Sequence, residues 1–142
     1  MTEDHRYSVS VAGVIVDDEG RALIIQRRDN GHWEPPGGIL EHGETIEYGL
    51  RREVYEETGL KIEPGTLTGI YQNMQRNIIA LVFRCSATGG SLGETDEAKA
   101  FRWVTAAEAT SVMTPAYAVR VADALTGADE PRVRPHDGTS LL

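Results

Sequence analysis

The sequence predicts one α/β domain in which a mixed sheet lies between helices, and three observations predict it. Apolar and β-branched runs recur at 7–17, 22–28, 67–74 and 77–87, with turn or loop residues between them. Two helix-length stretches, 45–58 and 115–127, accompany the strands, one among them and one after them, an order that suggests helices packed against a sheet. The length, 142 residues, suits one domain with a core of its own.

Taken in order, residues 1–6 (MTEDHR) are polar and read as a flexible N-terminus. YSVSVAGVIVD (7–17) is a buried strand, DEGR (18–21) a turn, and ALIIQRR (22–28) the returning strand of a hairpin. DNGHWEPPGG (29–38) is loop, because Gly, Pro and Asn crowd it. The first helix runs from about Thr45 to Thr58, with Thr45 as N-cap and Gly59 where a left-handed residue is wanted. LTGIYQNM (67–74) and NIIALVFRCSA (77–87) are strands, 88–100 is a long loop, and FRWV (101–104) is a short strand. TAAEA forms a short helix or turn, and PAYAVRVADALTG (115–127) a helix opened by Pro and closed by Gly. The folded domain is therefore set at 7–127, with 128–142 a flexible C-terminal tail carrying two prolines and no periodicity.

Composition narrows the function. A hydrophobic fraction of 40% and a charged fraction of 25% are ordinary for a globular protein. A net charge of -8 argues against a protein that coats nucleic acid, but not against a small phosphorylated molecule bridged by cations. The single cysteine, Cys85, cannot form an internal disulfide. No leader pattern is read, and no apolar run approaches the ~20 residues that span a bilayer. The expectation is a cytoplasmic protein with no membrane partner.

The first helix carries the chemistry. Glu53, Glu56 and Glu57 fall within five residues on a chain already negative. At ~100° per residue from Ile46, Leu50 and Val54 define an apolar stripe that Glu57 and Glu53 continue, with Glu56 beside it. Tyr48, Arg51 and Tyr55 take the opposite side. Like charges four residues apart repel, and the C-terminal half of a helix disfavours anions. Only Arg52, at the margin of that arc, could reach Glu56 or the preceding loop. A hard divalent cation such as Mg²⁺ is the natural counter-charge.

Residues 38–60 then match nine specified positions: Gly38, Glu44, Arg52, Glu53, aliphatic Val54, Glu56, Glu57, Gly59 and aliphatic Leu60. This segment resembles the Nudix box, G-x5-E-x7-R-E-U-x-E-E-x-G-U, and the flanking order over 7–127 is similar to a Nudix domain. The resemblance implies a Nudix-type α/β/α sandwich that hydrolyses a nucleoside diphosphate linked to a second moiety, using Mg²⁺ or Mn²⁺. It implies Glu53 and Glu57 as metal ligands, Glu56 as ligand or water-activating group, and a Gly38 carbonyl on the metal. Glu44 would pair with Arg52, and Gly37 would let the chain pass close to the phosphates. Glu97, in the long loop, is a second candidate base or ligand; a plain acidic surface loop is the alternative.

For substrate contacts the sequence offers Arg27 and Arg28 at a strand end, Trp33 before the Pro-Gly-Gly loop, and Tyr71 and Asn73 on a later strand. Each has an ordinary structural reading beside the functional one: solvated strand end, packing over the loop, or sheet residue. His42 defaults to surface, and Gly49 in mid-helix to close packing of helix on sheet. The leading substrate is a nucleoside or deoxynucleoside triphosphate, including damaged forms, giving a monophosphate and pyrophosphate. ADP-ribose or a nucleotide sugar is the first alternative, and a non-catalytic nucleotide sensor the second. Whether two chains pair as a homodimer the sequence leaves open.

Overall fold

The computed structural model of the chain describes residues 5–127 and 129–142. Most of the proposed flexible N-terminus, residues 1–4, lies outside the described residues. A five-stranded mixed sheet has the order β4-β1-β6-β5-β8, formed by Gly37–Ile39, Ser8–Ile15, Ile78–Gly90, Leu60–Asn73 and Arg132–His136. β1 runs parallel to β6 and β5 parallel to β8, while β1–β4 and β5–β6 are antiparallel. A smaller antiparallel sheet has the order β3-β2-β7, from Trp33–Glu34, Ala22–Arg27 and Ala98–Val104.

Strand alternation distributes the side chains between two cores. Val11 and Ile15 of β1 and Leu23 of β2 meet Leu50 and Val54 of helix α1 (Ile46–Thr58). Ala12 and Val14 of β1 and Ile24 of β2 meet Ala118, Val121 and Ala124 of helix α3 (Pro115–Leu125). One helix therefore covers each face of β1, with the short α2 (Ala106–Val112) beside α3. Gly13 lies under α1, where a Cβ would press on Val54 and Cys85 at 3.3 Å. The result is the α/β/α sandwich with a mixed central sheet. Among the described residues no helix is long and apolar enough to cross a membrane.

Several details depart from the sequence reading. β1 and β2 are not a simple hairpin: a single Val16–Ala22 bridge joins them before the chain passes to the second sheet. The loop at 29–38 contains β3 and the start of β4, too short to show an alternation. Gly49 is needed against the preceding loop rather than the sheet, since its Cβ would collide with Leu40 and touch Glu44.

The segment assigned to a flexible tail folds in part. Arg132–His136 is an edge strand on β5, and His136 at its end is fully buried. A five-residue edge strand containing Pro135 carries too little pattern to be read as one. What holds it is lateral: Arg134 grips Asp123 of α3 with two bonds of 2.8 Å.

Candidate active site

Helix α1 is set by local chemistry at both ends. Thr45 Oγ1 accepts the Tyr48 N–H at 3.1 Å, and Gly59 turns the chain at φ 80°. Its buried positions are Gly49, Leu50, Glu53, Val54, Glu57 and Thr58, so Glu53 and Glu57 do face inward. Glu57 is 3% exposed and accepts the Gly37 N–H at 2.6 Å. Burial pushes its carboxyl up to about 8 against that hydrogen bond, and the nearby Glu34, Glu97 and Glu53 carboxylates add to the rise. Burial also raises Glu53, although Arg52 opposes it.

The long loop completes the cluster. Thr95 Oγ1 donates to the Glu57 carbonyl at 3.1 Å and the Arg28 N–H to the Glu97 carbonyl at 3.0 Å. One oxygen each from Glu53, Glu57 and Glu97 then lie within 4.8 Å of one another. Three carboxylates converging this closely, two of them buried, are short of positive charge. A divalent cation with hard oxygen ligands fits such a donor set.

Arg52 organises the outer side of the cluster. Its Nε and Nη2 fork onto both oxygens of Glu44, at 2.9 and 2.6 Å. The Arg52 fork holds Glu44 down at about 2. Nη1 reaches Glu53 at 3.0 Å and Glu56 at 3.2 Å. Glu56 is half-exposed and stands apart from the three-carboxylate cluster, one guanidinium away from Glu53. The two glycines keep the β4 strand close: a Cβ on Gly38 would overlap the Glu53 carboxylate, and one on Gly37 the β1 backbone at Val11 and Ala12.

On the other face a cavity of about 180 Å³ is bounded by Gly37 and Gly38, Arg27 and Glu34, and the Tyr71, Tyr117 and Arg120 side chains. A larger cleft of about 540 Å³ adjoins it, with Arg27, Trp33, Glu34 and Asn73 on its wall. Arg27 serves both spaces, paired with Asp29 at 2.6 Å and Glu34 at 3.1 Å. Trp33 takes the Arg102 guanidinium 5.9 Å from its ring centre. Tyr71 is fully buried and its hydroxyl donates to Asp123 at 2.7 Å, so only its ring faces the cavity. Asn73 Oδ1 is engaged by the Gln75 and Arg76 N–H groups. Arg28 lines neither space and instead holds the Glu97 loop through the Thr95 carbonyl at 2.8 Å and Glu94 at 3.2 Å. His42 is exposed.

Three residues escape the sequence reading. Glu34 sits between Arg27 and Glu57, with its carboxyl raised by burial; its place directly before Pro-Pro-Gly-Gly is the signal that could have drawn notice. Arg120 and His136 are buried neighbours from α3 and β8, with no local signal at all.

Comparison with known proteins gives the family. Residues 6–124 match the NUDIX domain. The chain is 52% identical over 136 residues to a "MutT-like protein" of Streptomyces ambofaciens, covering 96% of this chain and 88% of that one. An "ADP-ribose pyrophosphatase" of Methanocaldococcus jannaschii is 38% identical over 99 residues, 65% of this chain and 58% of that one. A "Putative 8-oxo-dGTP diphosphatase" of Bacillus subtilis is 26% identical over 95% of this chain and 91% of its own length. The solved MutT protein of Methanosarcina mazei superposes with a TM-score of 0.75 at 25% identity, covering 91% of this chain and all of that one. With its box intact and its carboxylates gathered, the chain belongs to the Nudix hydrolase family, whose members act on substrates linked through a nucleoside diphosphate.

Proposed function

We propose that this Nudix hydrolase is a Mg²⁺-dependent pyrophosphohydrolase of nucleoside or deoxynucleoside triphosphates, damaged forms included, with Mn²⁺ able to replace Mg²⁺. The observation that carries the reading is the meeting of the Glu53–Glu57–Glu97 cluster and a cavity of about 180 Å³ at the same glycine strand. That volume equals about six waters at ~30 Å³ each, the room of one heterocyclic ring system rather than two nucleosides. The B. subtilis relative, named for a damaged triphosphate and matched along nearly its whole length, supports it.

In this reading Glu53, Glu57 and Glu97 hold the cation. When bound, the cation neutralises phosphate charge and lowers the pKa of the attacking water. Gly37 and Gly38, with no side chains, let the phosphate chain lie against β4. Water oxygen bonds to phosphorus, the bridging P–O bond breaks, and its electron pair leaves with pyrophosphate. Glu56 takes the water proton; Glu97 is the second candidate for that role. Arg52 fixes the Glu53 and Glu56 carboxylates at once, and its fork on Glu44 fixes Arg52. Arg27 and Trp33 border the route by which substrate enters. We place the activity in the cytoplasm, in line with the single buried Cys85.

ADP-ribose or a nucleotide sugar is the second reading. The adjoining cleft of about 540 Å³ has room for a second sugar, and the M. jannaschii relative bears that activity in its name. A sensor without catalysis fits poorly, because every box glutamate is present. The test is a panel of triphosphates, their oxidised forms, ADP-ribose, nucleotide sugars and dinucleoside polyphosphates in Mg²⁺, with Glu57→Gln as blank. Selective turnover of a triphosphate to monophosphate and pyrophosphate is expected. Selective turnover of ADP-ribose would replace the leading reading with the second, and tight binding without turnover would indicate a sensor.

A further inference from the structure

Arg120 is the most unusual charge in the protein. It comes from the second turn of α3 yet is only 7% exposed. Its guanidinium lies between two aromatic rings, 5.0 Å from the Tyr71 centre and 4.5 Å from the Tyr117 centre. Among the described residues no carboxylate forms an ion pair with it, and its buried Nε has no hydrogen-bond partner.

The remaining contact is not an acceptor either. His136 Nε2 stands 3.4 Å from Arg120 Nη2, while its Nδ1 accepts the Gly138 N–H at 2.9 Å. A ring nitrogen that accepts is unprotonated, so the neutral imidazole must carry its proton on Nε2. Burial and the Arg120 charge both favour that neutral form. Two donors therefore face each other, and the guanidinium is held in place by ring faces while its buried Nε–H lacks an acceptor. A buried donor without an acceptor is costly, and the side chain that carries it borders a cavity.

What the cavity could hold follows from its ends. Gly37 and Gly38 belong to edge strand β4, whereas Tyr71 lies on β5, three strand spacings away in the sheet order, or about 14 Å. On the proposed function, the phosphates sit at the β4 end with the carboxylate cluster. The part of the substrate that reaches Arg120 is then the part remote from the phosphates. Between the ends Ala12, Ile78 and Ala80 form a wall that suits a flat ring, and Glu34, whose carboxylate acts on Arg120 without pairing with it, borders the same cavity. Arginine donates only, so it complements carbonyl oxygens and ring nitrogens and opposes an exocyclic amino group.

We propose that Arg120 reads the carbonyl edge of a keto nucleobase, so that the site takes guanine-, hypoxanthine- or uracil-type nucleotides in preference to adenine- and cytosine-type ones. The placement of the base rests on the proposed function; the acceptor-poor guanidinium does not.

The test needs neither metal nor turnover. Calorimetric titration of the full chain in chelator would compare IMP with AMP and UMP with CMP, pairs that differ at one keto or amino group. The wild-type protein is expected to bind the keto member of each pair at least about tenfold more tightly. Arg120→Met, checked for an unchanged melting curve, is expected to bring both pairs within about threefold. Equal affinity in the wild-type protein, or a preference that survives in Arg120→Met, overturns the proposal. Should the variant not fold, the wild-type pairs decide alone. Keto-selective binding without hydrolysis would sink the proposed function and keep this assignment, and triphosphate hydrolysis without keto preference would do the reverse.

Discussion

Removing the charge of Glu57 should stabilise the metal-free protein at alkaline pH, and bound metal should narrow that advantage. Glu57 is 3% exposed, and its carboxyl is pushed up to about 8 from an ordinary 4.5. A carboxyl raised by folding contributes stability that is complete below pH 4.5 and is lost as pH climbs through 8. At ~1.4 kcal/mol per pH unit, the loss between pH 5 and pH 8 comes to about 3.5 kcal/mol. For a domain of this size that is about 10 °C in melting temperature. His136, whose pKa burial lowers, acts with the opposite sign, since its neutral form is favoured as pH rises past 6.5. The difference between wild-type protein and Glu57→Gln therefore cancels the His136 contribution. The glutamine keeps an oxygen for the Gly37 N–H.

Thermal melts at pH 5, 6.5 and 8, in chelator and in Mg²⁺, would measure it. In chelator the variant should match wild type at pH 5 and melt about 10 °C higher at pH 8. Mg²⁺ at 100 times its dissociation constant adds about 2.7 kcal/mol to the wild-type protein at pH 8 and little to the variant. Parallel pH profiles for the two proteins in chelator would refute the claim that an uncompensated carboxylate is buried there.

Three further outcomes follow from particular contacts. Tyr71→Phe removes a hydroxyl that donates to the Asp123 carboxylate at 2.7 Å, and should cost about 1.5–3 kcal/mol in urea unfolding while leaving the fold intact. Gly38→Ala sets a methyl against the Glu53 carboxylate, and kcat should fall about 100-fold with a near-normal circular dichroism spectrum. Ending the chain at Glu130 strips β8 and leaves the Asp123 carboxylate without Arg134, which should cost about 3 kcal/mol. An unchanged urea midpoint for that shortened chain would mean that β8 is not part of the folded unit.

The helix and its box were legible because their determinants are close in sequence. Thr45 caps a residue three positions on, Arg52 grips Glu44 eight positions back, and the inward arc of Glu53 and Glu57 follows from helical period alone. Glu97 is different: only the family resemblance pointed to it, since the loop that carries it is brought in by Thr95 and Arg28 from distant positions. Tyr71 and Asn73 border the cavity, but the Tyr71 hydroxyl and the Asn73 Oδ1 serve the fold, which depends on partners at 75, 76 and 123. The Arg120 cage was invisible, because its members come from β5, α3 and β8 and none is patterned locally. β8 was hidden for a related reason: its strand character is supplied by the edge of β5, not by its own residues.

In the proposed function, buried carboxylates of α1 hold the cation that drives phosphoanhydride hydrolysis. Single-turnover hydrolysis of the preferred nucleotide in Mg²⁺, for wild type and Glu53→Gln side by side with their melting curves, tests it most directly. Turnover is expected to fall by about 10³-fold or more in a variant that melts as a folded protein. A folded Glu53→Gln protein that hydrolyses the nucleotide at the wild-type rate would contradict it.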